Sequence, residues 1–193
     1  EIIILYRTVV DVWRLTRNPE ARDFCATRGW FTASKWWTCA LIFSAVIISV
    51  PPINALIHGT YVVAGHAMAA MIGIDTMILI GAIIWILGEH LQAREGTRGA
   101  APLNTTGMRR ILIGLNLSVA ALVVWLHVVG IAVSVTRAVH APNEAYVPPD
   151  WVTAFSGLGF AISGTITLAF FVLLLVKLHS PAFRYFWVSP TRV

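Results

Sequence analysis

The chain has 193 residues, 58% of them hydrophobic and only 12% charged, with a mean hydropathy of +0.77. A water-facing globule carries about 25% charged residues, and disordered segments are poor in apolar side chains, so both classes are excluded. Two cysteines, Cys25 and Cys39, exclude a disulfide scaffold and a cysteine-based zinc or iron–sulfur site, and the formal charge of +5 sits in basic clusters bordering apolar runs, which points to a membrane rather than to nucleic acid.

Glu1 to Leu15 is apolar at helical spacing and then turns basic. Residues 1–17 read as the cytoplasmic end of a preceding helix, closed by Asn18-Pro19. Residue 1 is Glu rather than Met, so the expectation is a fragment, a processed product or one half of a split protein. Four long apolar runs come next, at about 36–57, 61–87, 111–135 and 152–176. Three hold no charge and the second holds one, Asp75. About 20 apolar residues rising 1.5 Å each cross a hydrocarbon core of roughly 30 Å. Each run predicts a transmembrane helix, and together they predict an all-α, polytopic transmembrane helix bundle forming a single membrane domain over 1–193.

Basic residues set the expected orientation. Arg7, Arg14, Arg17, Arg22, Arg28 and Lys35 precede the first run. Arg94, Arg98, Arg109 and Arg110 lie between the second and third, and Lys177, Arg184 and Arg192 come after the fourth. Alternating spans place thirteen of the 14 basic residues on one face, with Arg137 the exception. That face is expected to be cytoplasmic, with both ends of the chain. The Gly96–Leu103 stretch reads as a plain cytoplasmic connector, and the Ile57–Thr60 turn and the Val139–Asp150 loop fall on the opposite face. Trp30, Trp36, Trp37 and Trp151 are expected at the interfaces as aromatic anchors.

An ionisable group at membrane depth is costly and draws attention to function. Three qualify: His66, Asp75 and His127. His66 lies five residues into its span, on a face with Val62, Val63, Ala69, Ala70 and Gly73. Histidine is a usual axial ligand of haem iron, and a methionine thioether is another. Met68, two positions on, points about 200° round the helix, so one helix offers a ligand to each of two flanks. The structural alternative has His66 bonded to a neighbouring helix and Met68 filling core space. Asp75 comes seven residues after Met68, nearly on its face, and is expected to be protonated or paired with a partner outside this chain, as a proton-relay group, a hydrogen-bond partner of a cofactor or an interhelix bond. His127 is expected either to share one haem with His66 or to make a polar interhelix contact, with Asn116, Ser118 or a turn of the neighbouring helix. In the last run, Ser156, Gly159, Ser163 and Gly164 suit close helix packing or a cofactor face. No phosphate-binding loop, GxSxG or HExxH is present. Any catalysis therefore falls to a metal or haem.

The stretch HGTYVVAGHAM from His58 to Met68, continuing AAMIGIDTMIL, resembles the tenth helix of the large subunit of bacterial nitric oxide reductases, in the haem–copper oxidase superfamily. In that family an HGT turn leads to an Ala-His-Gly-His-like motif. Its first histidine holds the high-spin catalytic haem and its second the low-spin haem. By this resemblance His66 matches the high-spin ligand, while Met68 departs from the motif where the low-spin ligand belongs: either its thioether serves that haem, or the second haem is lost or held differently, for instance by an upstream His. A Met ligand raises the potential of its iron. The four runs keep the order of the family's helices nine to twelve, and Glu1–Leu15 takes the place of the end of helix eight.

The resemblance implies a bacterial inner-membrane enzyme of denitrification and respiratory electron transport. It reduces nitric oxide to nitrous oxide, or oxygen to water, using high-spin and low-spin haem b and a non-haem iron or copper. The ligands of that second metal lie on earlier helices, so the upstream half of the same subunit or a partner chain is required. Electrons are expected from a cytochrome c-type subunit or a quinol. Two rivals stand beside this reading. One is an electron-transfer cytochrome b with a His66/His127 haem. The other is a haem-free structural subunit.

Overall fold

A computed structural model of the chain describes residues 25–95, 103, 105–140 and 150–187, together with residues 7, 10, 11 and 14. The helix end expected over 1–17, the connector from Gly96 and the Val139–Asp150 loop lie mostly outside the described residues. Within them, Arg7, Val10, Asp11 and Arg14 are helical, and Arg14 lies 3.8 Å from Asp11 on an exposed face.

The described elements are α1 (Cys25–Ile48), α2 (Pro51–Ile57), α3 (Tyr61–Met68), a π-helical segment (Ala69–Thr76), α4 (Met77–Glu95), α5 (Thr106–His140) and α6 (Asp150–Trp187). The π segment joins α3 to α4 in one unbroken rod. Four helices are long and apolar enough to cross a membrane: Thr27–Ile48, Tyr61–Ala93, Thr106–Val139 and Asp150–His179. The fold is an all-helical bundle, with no strand among the described residues.

The first span differs from the run read in sequence. That run, Trp36–Ile57, is uncharged throughout, but the helix starts earlier, at Cys25, and ends at Ile48. Val50 is extended (φ −68°, ψ 120°), and Pro51 opens the separate α2. Proline lacks an N–H and clashes with the turn behind it, and it disfavours helix in the residue before it. Pro51-Pro52 therefore divides the run, while Pro51 at the start of α2 loses nothing, because a first-turn N–H has no helical partner.

The core fills the half of the bundle near Glu95 and Thr106. Trp30, Met77, Ile84, Leu91, Leu115 and Val119 are its fully buried side chains, with Leu174 reaching in from α6. Two of the expected interfacial tryptophans belong to the interior instead. Trp30 is 0% exposed, and Trp37 lies with its ring against Gly73, where a Cβ would not fit. Both occupy the side of α1 that meets the second span, and a large aromatic surface gains more there than at the rim. Trp36 is 65% exposed, with Lys35 Nζ 5.3 Å from its ring centre, and Trp151 faces outward.

A polar chain ties three spans together through this core. Trp37 Nε1 donates to Asn116 Oδ1 at 2.8 Å, and Asn116 Nδ2 donates to Leu112 O at 2.8 Å and towards Met77 Sδ at 3.8 Å. Trp37→Phe keeps the ring on Gly73 and removes one bond. It is expected to lower stability by about 1 kcal/mol, near the upper range measured for interhelix bonds in membranes. Denaturation of the purified protein in mixed micelles checks this.

Helix α6 packs on α5 along a narrow seam of small and hydroxylic residues. Gly159 receives the Trp125 ring, and Gly114 receives Phe170. Thr167 Oγ1 donates to Ser118 Oγ at 3.1 Å, and Trp125 Nε1 donates to Ser156 O at 3.4 Å. The Ser156, Gly159, Ser163 spacing thus serves helix packing, whereas Gly164 faces open space.

Candidate functional site

The site begins at the His58-Gly59-Thr60 turn. Gly59 has φ +74°, which favours glycine. Thr60 then caps α3: its Oγ1 donates to Ile57 O at 2.7 Å and accepts from Val62 N at 3.4 Å. This sets the phase of α3. Val62 and Gly65 turn towards α5, where Gly130 meets the Val62 backbone directly. A Cβ on Gly65 would come within 2.6 Å of His127 Nδ1, so the His127 ring lies on the α3 backbone. The two helices touch here with only glycine between them, a close approach that small residues permit.

His66, the next residue along, contacts α1 instead. Its Nδ1 lies 2.9 Å from Ser44 Oγ. Ser44 in turn donates to Leu41 O at 2.9 Å. A hydroxyl has one proton: with it on the Leu41 carbonyl, Ser44 accepts from His66 Nδ1 and the neutral ring keeps its lone pair on Nε2; with it on His66 Nδ1, the ring proton sits on Nε2. His127 bonds within its own helix. Its Nδ1 lies 2.8 Å from Val123 O, a carbonyl that only accepts, so Nε2 of the neutral ring carries the lone pair. His127 bonds neither Asn116 nor Ser118. Asn116 is engaged with Trp37, and Ser118 donates to Leu115 O at 2.9 Å.

A groove of about 280 Å³ runs beside these residues, lined in part by Trp37, Ser44, Ala69, Val123 and His127. Met68 is half-buried at the end of α3. After it the backbone changes to the π form, with i→i+5 bonds, and Thr76 Oγ1 donates to Met71 O, five residues back, at 2.8 Å. A π turn inserts residues relative to α geometry and rotates the helix beyond it. The α-helical count that put Asp75 nearly on the Met68 face does not hold across it. Asp75 is exposed, on an outward stripe with Met71 and Leu79. It makes no hydrogen bond or ion pair among the described residues.

The structure thus brings His66 to Ser44 and His127 to the α3 backbone, and it separates Asp75 from both. Among the described residues no three His, Cys, Asp or Glu side chains converge on a metal position. Sequence reading missed Ser44, whose hydroxyl sits unmarked in an apolar run, and Gly65, whose importance depends on what crosses it. The class defined by fold and composition is a multi-pass α-helical membrane protein. Comparison with protein families, curated proteins and solved structures finds no match to this chain.

Proposed function

We propose that the chain is the haem-holding C-terminal part of a membrane enzyme of the nitric oxide reductase type. It acts together with upstream helices or a partner chain, in a bacterial inner membrane with both ends cytoplasmic. The reaction joins two molecules of nitric oxide, two electrons and two protons into nitrous oxide and water, or reduces oxygen to water.

One observation carries the reading: His66 Nδ1 lies 2.9 Å from the Ser44 hydroxyl, which also lies 2.9 Å from a carbonyl able to take its proton, Leu41 O. Metal-bound histidines are held this way, with the second ring nitrogen donating to an oxygen that sets tautomer and ring orientation. The donor set would offer haem b one histidine nitrogen, that of His66. Haem iron would supply the redox change and the binding position for the gas. His66 would offer Nε2, Ser44 would orient the ring, and Met68 would serve a low-spin haem on the other flank. Ligands of the second metal, iron or copper, would come from upstream, and electrons from a cytochrome c-type subunit or a quinol.

The contact between α3 and α5 bears on the carrier alternative. A porphyrin does not fit between backbones that touch at Gly130 and Val62, which favours His66 ligating on its own side over one haem held between His66 and His127. The test is a haemochrome spectrum with iron counted per chain, and then carbon monoxide added to the reduced protein. Haem with a carbon monoxide-sensitive band is expected. Protein purified without haem from membranes of haem-replete cells overturns the proposal, and haem that ignores carbon monoxide returns the electron carrier. Met68→Ala is expected to alter the low-spin bands alone, read in the same reduced-minus-oxidised spectra.

A further inference from the structure

Asp75 lies close to the middle of the Tyr61–Ala93 span, so neither interface is near enough for its short side chain to reach. It also faces out of the bundle. Val63, Met71, Leu79, Ile83 and Ile86 are exposed on either side of it, along a stripe of about 35 Å by helical rise. That length matches a full bilayer crossing. The outward faces of α5 and α6 at this depth are different. Leu117, Val124, Val128, Leu158, Ile162 and Leu168 are all apolar and suit lipid tails. Among the described residues, Asp75 is the only acid at mid-span on an outward face, and Lys35, half-buried near the middle of the first span with its Nζ over the Trp36 ring, makes no ion pair with it.

Lipid offers a carboxyl no hydrogen-bond partner, and a group left so is costly whether charged or neutral. A second copy of this chain is a poor cover. Copies share one orientation in the membrane, so packing the stripe on itself sets Asp75 against Asp75, and two close carboxylates resist ionising together. A helix bringing a donor to that depth resolves the problem.

We propose that this stripe is the seat of another transmembrane helix, one that presents a basic side chain or a hydrogen-bond donor to the Asp75 carboxyl. The seat is independent of any haem at His66, so its failure and that of the functional proposal are separate results. The test uses the full protein in native membranes. Dicyclohexylcarbodiimide, an apolar reagent for protonated carboxyl groups, is expected to spare Asp75 there and to modify it once detergent has separated the chains, read by peptide mass spectrometry. A photo-crosslinking side chain at Leu79 is expected to capture a membrane helix with a Lys, Arg, His, Asn, Gln, Ser or Thr level with Asp75. The same group at Leu168 is expected to capture lipid. Modification of Asp75 in native membranes overturns the proposal, as does a Leu79 adduct with lipid alone or with the same stripe of a second copy. If the carbodiimide reacts in neither state, the Leu79 adduct decides.

Discussion

His66→Ala protein is expected to fold, insert and lose the proposed carbon monoxide-binding haem completely. The mutation removes the ring whose Nε2 would hold the iron while Nδ1 meets Ser44. Ser44 keeps its own bond to Leu41 O, so truncating the imidazole strands no buried proton and the bundle loses little. Imidazole added to the buffer should restore part of the spectrum by occupying the vacated position. Ser44→Ala separates orientation from ligation: the ligand stays but its ring is no longer held. Losing such a supporting bond typically costs about 10–100-fold in affinity or activity, so haem should be retained weakly and dissociate faster. An unchanged carbon monoxide spectrum in His66→Ala would remove the basis for the functional reading. The low-spin bands should survive in that variant if Met68 serves the second haem.

The largest effect on stability is expected from Gly130→Val. At this position α5 meets backbone atoms of Tyr61 and Val62, and a new side chain has no flexible neighbour to displace. Overpacking a tight site costs about 1–3 kcal/mol, and a clash with backbone belongs at the upper end. The helices would have to part, which also lifts the His127 ring from Gly65 and disturbs the α3 phase set by Thr60. The expected outcome is a drop in midpoint on denaturation in mixed micelles, together with weakened haem retention. Gly157→Ala is the control, since nothing lies within 4 Å of a Cβ there. Helix propensity alone favours both changes over glycine, so equal losses in the two variants would mean that the crossing at Gly130 does not set the loss.

Much of the architecture is legible in the order of residues alone. A membrane hides no backbone polar group, so a spanning segment must be a helix, and a long uncharged run announces one. The second, third and fourth spans match their apolar runs closely, the second lengthened at its C-terminal end and the other two at both ends, where polar side chains continue the helix. The first does not, although Pro51-Pro52 stood in plain sight. Hydrophobicity alone cannot see a missing N–H, and backbone chemistry outweighed composition at that point. The small residues Ser156, Gly159 and Ser163 stood out by their spacing, but helix packing and a cofactor face suit such spacing equally, and only the Trp125 ring seated on Gly159 decides for packing.

What composition and spacing determined about this protein is therefore its class: four apolar spans, the places of the last three, and the polar residues within those three that are left at membrane depth. Tertiary structure alone decided what those residues do. Whether His66 meets a serine, whether His127 lies on a glycine, and which way Asp75 points all depend on helix phase and on which spans touch. Phase was altered by the π segment between Ala69 and Thr76, whose bonding pattern has no marker in the residues themselves. Partners such as Ser44 and His66 lie 22 residues apart on different helices, and no local rule of spacing connects them.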